Sequence, residues 1–255
     1  MRNLNKLLTI TALSSLSGMQ AVQATSTYHA DSNITITINS ITNNTSAGDL
    51  SGLDIYGLFE FDYEYRSIIG SGDATYDHTP TEISSFDTND NTNNKFSQDF
   101  SSFGHSINGN VVSAYEALGG LEFTNNSNDS FSINYSIDYS LTAQTGTLIP
   151  SDVATSSVAL GYGNILTDIN GDEWESGDDY YEVNATSEIP FSDWDSYTDS
   201  ASFTLNLGAQ ESNLFYADAS LNGYTKAVSA VPVPAAGWLL LSGLAFLGRF
   251  RSPAA

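Results

Sequence analysis

Three features of this sequence predict an all-β fold, an antiparallel β-sandwich of jelly-roll-like kind. The stretch "FSINYSIDYSL" alternates strictly, with Phe131, Ile133, Tyr135, Ile137, Tyr139 and Leu141 on one side and Ser132, Asn134, Ser136, Asp138 and Ser140 on the other, the pattern of a half-buried strand. Segments such as "NNTSAGDLSG", "DTNDNTNN" and "TNNSND" separate the apolar runs, and their Asn, Asp, Gly and Ser residues favour turns. The composition is rich in Asn, Ser, Thr, Gly and Tyr, with only 15% charged residues, which resembles secreted β-rich proteins more than cytosolic enzymes.

The chain opens with a basic pair, Arg2 and Lys6, an apolar run "LLTITALSSL" at 7–16, and small residues at Val22 and Ala24. That three-part order predicts a signal helix over residues 1–24, with cleavage after Ala24. Residues 25–228 then read as one acidic β-domain. Ile34, Ile36 and Ile38 alternate with Thr35 and Thr37 as a first strand. "LDIYGLFEFDYEY" predicts a second, with Leu53, Ile55, Phe59, Phe61, Tyr63 and Tyr65 facing inward. Residues 84–99 lack a strong apolar run and read as a loop or a boundary. "VVSAYEALGG" at 111–120 is the one candidate helix, with Gly119 and Gly120 as its stop. Phe203, Leu205 and Leu207, then Phe215, Ala217, Ala219 and Leu221, return to period two.

Charge bounds the function. Of seven Lys and Arg, only Arg66, Lys95 and Lys226 lie between the chain ends, whereas all thirty acids do, so this region carries 3 − 30 = −27. Such a field repels phosphate backbones and argues against nucleic-acid binding, and it attracts divalent cations. The chain has no cysteine, which removes thiol catalysis and Cys-type zinc sites. A domain of about 200 residues can bury enough surface to do without disulfides.

The most suggestive internal motif is "DINGDEWESGDD", which offers Asp168, Asn170, Asp172, Glu175, Asp178 and Asp179 as oxygen ligands around Gly171. Two readings stand side by side: a calcium loop, because hard cations take oxygens from alternate positions of a glycine-turned loop, and a plain hairpin with Asn170 and Gly171 at the centre of a type I′ turn. "DTNDN" at 87–91 has the same ligand types without glycine. The histidines His29, His78 and His105 are scattered, and the pairs Asp77 with His78 and His105 with Ser106 would join a triad only if folding supplied partners. Glycoside hydrolysis needs two suitably spaced carboxylates, and Trp174 and Trp194 lie in acidic, turn-rich surroundings where they could stack on sugars. A carbohydrate-binding module or glycosidase is therefore the alternative to a noncatalytic surface protein.

The C-terminal segment, residues 229–255, contains "VPVPAAGWLLLSGLAFLGRFR". Its apolar run at 235–248 reaches the length of a membrane-spanning helix only when the preceding residues are counted in, and Arg249 and Arg251 would hold the tail in the cytoplasm. This stretch resembles the PEP-CTERM protein-sorting tail in its VPLPA-type variant. By that resemblance Val231, Pro232, Val233 and Pro234 correspond to the recognition signature, 235–248 to the hydrophobic helix, and Arg249 with Arg251 to the basic stop. Val233 stands where the founding pattern has glutamate. The resemblance implies recognition by exosortase, a membrane-embedded cysteine transpeptidase of Gram-negative bacteria that make extracellular polysaccharide. It implies a route to the cell surface or matrix and leaves the activity of the sorted domain open.

Overall fold

A computed structural model describes residues 25–80, 94–187 and 192–228. The expected signal helix, the "DTNDN" segment and the whole C-terminal sorting stretch lie outside these residues. The described chain is all-β and antiparallel: β1 (Ser26–Asn43), β2 (Leu53–Pro80), β3 (Lys95–Asn125), β4 (Phe131–Thr147), β5 (Val153–Thr167), β6 (Glu173–Ser187), β7 (Ser192–Leu207) and β8 (Ser212–Ala227). The hydrogen-bonded order is β6-β5-β8-β3-β1-β4-β7, with β2 along the other edge of β3.

The 31-residue β3 organises this order. Residues 95–106 pair with β1 and residues 109–124 with β8, while β2 follows β3 along nearly its whole length. One layer is thus β7-β4-β1 and the first half of β3; the other is β6-β5-β8 and the second half. The ribbon of β2 and β3 doubles back between them. Phe61 and Tyr76 belong to the same strand, and a straight strand would hold them ~50 Å apart, yet their rings stack with centroids 4.2 Å apart.

The reversal occurs where Gly70 pairs with Gly109. Both have positive φ, +96° and +116°, a region open to glycine and costly for other residues. A Cβ at Gly109 would run into the carbonyl of Ile69, and one at Gly70 into that of Asn108. Tyr28 of β1 pins the corner from inside. Its ring lies between Gly104 and Gly223, where any Cβ would overlap it, and its hydroxyl bonds to Ser102 and Ser113, one on each arm of the folded β3.

Between the layers, alternate residues of each strand form the core. Ile34 and Ile36 of β1 and Phe131, Ile133, Tyr135 and Ile137 of β4 are buried against Leu121, Phe123, Val158, Leu160 and Phe215 of the opposite layer. Burial of each such side chain contributes about 1.5–3 kcal/mol. Aromatic rings fill the lateral openings. Phe61, Tyr76, Phe100 and Tyr115 pack together on the β2 side, and Tyr139, Tyr162, Tyr181 and Tyr197 on the other, Tyr181 stacking on Tyr197 at 5.2 Å.

On that second side β6 and β7 face each other without a backbone ladder. The carboxylates of Asp193 and Asp195 on β7 accept hydrogen bonds from the backbone N–H groups of Thr186 (2.9 Å) and Asn184 (3.1 Å) on β6. Charged side chains turned onto an edge block pairing with another chain. The sheet is therefore nearly closed here, laced by side chains.

The structure corrects three expectations. Residues 111–120 are not helical but lie inside β3; Val111, Ser113, Tyr115 and Ala117 are all buried, a period of two. Of the 84–99 segment expected as a loop or boundary, Lys95 to Asp99 belong to β3 and pair with β1. In β2 the inward face fails after Phe61: a register shift between Phe61 and Tyr63 leaves Tyr63 and Tyr65 exposed.

Two substitutions test the corner. Gly109→Ala forces a Cβ into the Ile69 carbonyl and should lower thermal stability severely or prevent folding. Tyr28→Phe keeps the ring and removes the hydroxyl bonded to Ser102 and Ser113, and should lower stability by about 1–3 kcal/mol, read from urea unfolding; an unchanged midpoint in both variants would contradict the pinned corner.

Candidate functional site

The 168–179 stretch forms the β5–β6 hairpin. The Asp168 backbone N–H donates to the Asp172 carbonyl at 3.0 Å, and the Gly171 N–H to the Asp168 carbonyl at 3.0 Å. Gly171 has φ +83° while Asn170 is not left-handed. The turn is thus a three-residue loop ending in a glycine bulge, not the expected type I′ turn. The Asp168 carboxylate is the organiser. One oxygen accepts from the backbone N–H groups of Asn170 (2.8 Å) and Asp172 (2.9 Å), the other from the Asn170 side chain (3.0 Å). These bonds, that from Asp172 foremost, hold its carboxyl below the ordinary range.

The remaining proposed ligands are spread along β6. Glu175 pairs with Ile165 of β5. The Asp178 carboxylate lies over Gly163 beside the Tyr216 hydroxyl, whereas Asp179 accepts a hydrogen bond from Tyr162 at 3.4 Å. Asp168, Asn170, Asp172, Glu175, Asp178 and Asp179 therefore do not converge on one point, and among the described residues no group of three or more His, Asp or Glu is placed to hold a metal ion.

The other sequence candidates are also separated. His105 and Ser106 are successive residues of a strand and point to opposite faces; Ser106 is buried and His105 half-buried. His78 packs on Phe100 and bonds Gln98 at 3.2 Å. Trp174 and Trp194 are both exposed, but Trp174 pairs with Leu166 beside the 168–172 turn and Trp194 with Gln144 near the opposite end of the sandwich. They form no joint platform.

What the fold does assemble is a shallow trough on the outer face of β3, β8, β5 and β6. Register places Asp218, Gly161 and Tyr180 in one transverse row, and Gly120, Tyr216 and Gly163 in the next, with Asp178 above Gly163. Ala159 and Gly161 floor it, Glu116 and Leu118 edge it, and its volume is about 250 Å³. Tyr180 stands at one wall, 65% exposed.

Asp218 is the distinctive group. Burial raises its carboxyl to about 6, opposed by a hydrogen bond from the Gly119 N–H and reinforced by the charges of Asp62 and Glu116. Tyr216 is likewise raised, by burial first and then by its hydrogen bond to Asp178 and that carboxylate's charge. The trough thus holds one carboxyl that is neutral in mildly acidic solution, with an exposed ring and a floor of glycine and alanine. That arrangement can hydrogen-bond a polyhydroxylated ligand lying flat. No signal in the sequence marked Asp218, since its environment comes from four strands.

No protein family, no curated protein and no solved structure matches this chain.

The raised Asp218 carboxyl has a stability consequence. Its folded value of about 6 exceeds the ordinary 3.8, so ionisation destabilises the fold above pH 6, and the cost fades as pH falls toward 3.8. Asp218→Asn should raise stability at pH 8 by about 1 kcal/mol after discounting for solvent screening, and leave it unchanged near pH 3.5. Melting curves across that range would show it; a pH-independent difference would contradict the assignment.

Proposed function

We propose that this is an exported, exosortase-sorted protein of the cell surface or extracellular matrix, built on a noncatalytic acidic β-sandwich that contributes to biofilm interactions. The observation that carries this reading is the C-terminal order of Val231-Pro232-Val233-Pro234, an apolar helix-forming run, and Arg249 with Arg251, paired with the export pattern over residues 1–24. Its partners in this reading are the export machinery, exosortase, the inner membrane before processing, and extracellular polysaccharide. Nucleic acid is not among them, given the −27 of the central region. A jelly-roll-like winding belongs to the same proposal and is supported by the loops at 44–52, 126–130, 148–152 and 208–211, each of which joins strands of different layers.

A second reading is favoured by the trough: a carbohydrate-binding module, or a glycoside hydrolase, acting on extracellular polysaccharide. Asp218, whose carboxyl is raised by burial, and Asp178 flank Gly161 and Gly163 beside Tyr180. Calorimetric titration with extracellular polysaccharide fragments separates the two, because binding abolished by Tyr180→Ala and Asp218→Asn supports the trough as a sugar site.

Two further measurements test the main reading. Mass spectrometry of protein recovered from the cell surface should find no peptide reaching Arg251; an intact C-terminus would reduce the tail to a plain anchor. Calcium binding at the 168–179 loop belongs to the same reading, and a saturable rise in the melting temperature of the domain specific to calcium, lost in Asp168→Asn, would support it. A rise no greater than that with magnesium would leave the plain hairpin.

A further inference from the structure

The two lateral sides of the sandwich treat their edges differently. Asp193 and Asp195 cover the edge of β6. On the other side β2, 28 residues long, pairs with no described strand but β3. From residue 62 to residue 71 β2 is exposed on both faces apart from Ser67, and Tyr63, Tyr65, Ile68 and Ile69 stand out as large side chains in solvent. The segment lies between the register shift at Phe61/Tyr63 and the corner at Gly70. It contains no lysine or proline, the usual guards of an open edge.

We propose that this segment is a self-association edge, where β2 pairs antiparallel with β2 of a second copy of this chain about a twofold axis at Tyr65. Charge selects both the occupant and the register. Arg66 is one of three basic residues between 25 and 228, and the surface it must meet is otherwise acidic. Pairing centred on Tyr65 sets Glu64 opposite Arg66 twice, once on each side of the axis. Pairing centred on Arg66 sets two arginines against each other, which directly opposed strand positions penalise. Arg66 already donates from Nη1 to the Ala74 carbonyl at 3.0 Å and lies 3.8 Å from Asp73. A guanidinium carries five N–H donors, so others remain for a carboxylate of the second copy. A symmetric interface uses the same patch on both partners, so one short segment suffices. The −27 of each domain opposes approach over a distance, and physiological salt screens that repulsion beyond ~8 Å.

The cysteine-free chain allows a direct test. In the Tyr65→Cys variant the two thiols sit across the axis within disulfide reach, and mild oxidation should yield a covalent dimer. Tyr56→Cys, on the same strand at 41% exposure, should not. Sedimentation velocity in physiological salt should show a reversible dimer of the wild-type chain. Arg66→Glu and Glu64→Arg should each weaken it about tenfold or more, as two exposed ion pairs become like-charge pairs, and the combined swap should restore it. A wild-type chain that stays monomeric, equal cross-linking of the Tyr56→Cys and Tyr65→Cys variants, or no rescue by the double swap overturns the proposal. So does a monomer whose 62–71 amides resist hydrogen exchange, since another segment of the chain then occupies the edge.

Discussion

Everything in this fold depends on one strand belonging to two layers. β3 can serve both only because it reverses at Gly109 opposite Gly70, and the reversal holds only because Tyr28 fills the inside of the corner and bonds both arms. The consequences run outward. β1 and β8 lie end to end along one edge of β3, which places their neighbours β4 and β5 face to face, and β7 and β6 beyond them. The core, the aromatic plugs and the outer trough are consequences of that placement. Glycine supplies the geometry and tyrosine the fixation, a division that makes backbone freedom and side-chain bulk equally necessary at one point.

The two openings that a folded ribbon leaves are handled by different chemistry. On the β6–β7 side, carboxylates stand in for the missing backbone partners, so the seam is sealed by groups that water also solvates well. The buried asparagines Asn43 and Asn125 do comparable work at the far end. Asn125 donates to the carbonyls of Asp129 (2.8 Å) and Gly208 (2.6 Å), and its own carbonyl accepts from Ser127, joining two loops through a single amide. A chain without cysteine reaches loop fixation through such polar knots, which is the solution open to a domain large enough to bury them.

Much of the fold was legible in the sequence, and the reasons differ by element. β4 was plain because both of its edges are paired and its two faces meet opposite environments. β3 was misread at 111–120 because Val111 and Tyr115 satisfy helical spacing as well as alternation, and because Ala and Gly looked like helix formers and stops. Their real role is closeness: a Cβ at Gly119 would press on Phe59, and one at Gly120 would strike the carbonyl of Phe215. The corner could not be read at all, since it needs Gly70 and Gly109 to be opposite each other across a ribbon. The site was less legible still. "DINGDEWESGDD" advertised oxygens whose hydrogen bonds turn out to be local, whereas Asp218 sits in an ordinary alternating run and acquires its character from β2, β3, β5 and β6.

The positions of the two ends of the β-domain carry a mechanical consequence. Thr25 and Val228 are both held at the end where the ribbon turns, by the Leu148 N–H on the Thr25 carbonyl (3.1 Å) and by the Val228 N–H on Asp152 (2.9 Å). Force applied between the two ends would therefore peel β1 and β8 away one rung at a time, an unzipping geometry that yields at low load. Force entering at Val228 and leaving through the flank of β2 would instead run along the strands and load many rungs at once. The same domain is weak when stretched between Thr25 and Val228 and strong when held at Val228 and gripped at its side.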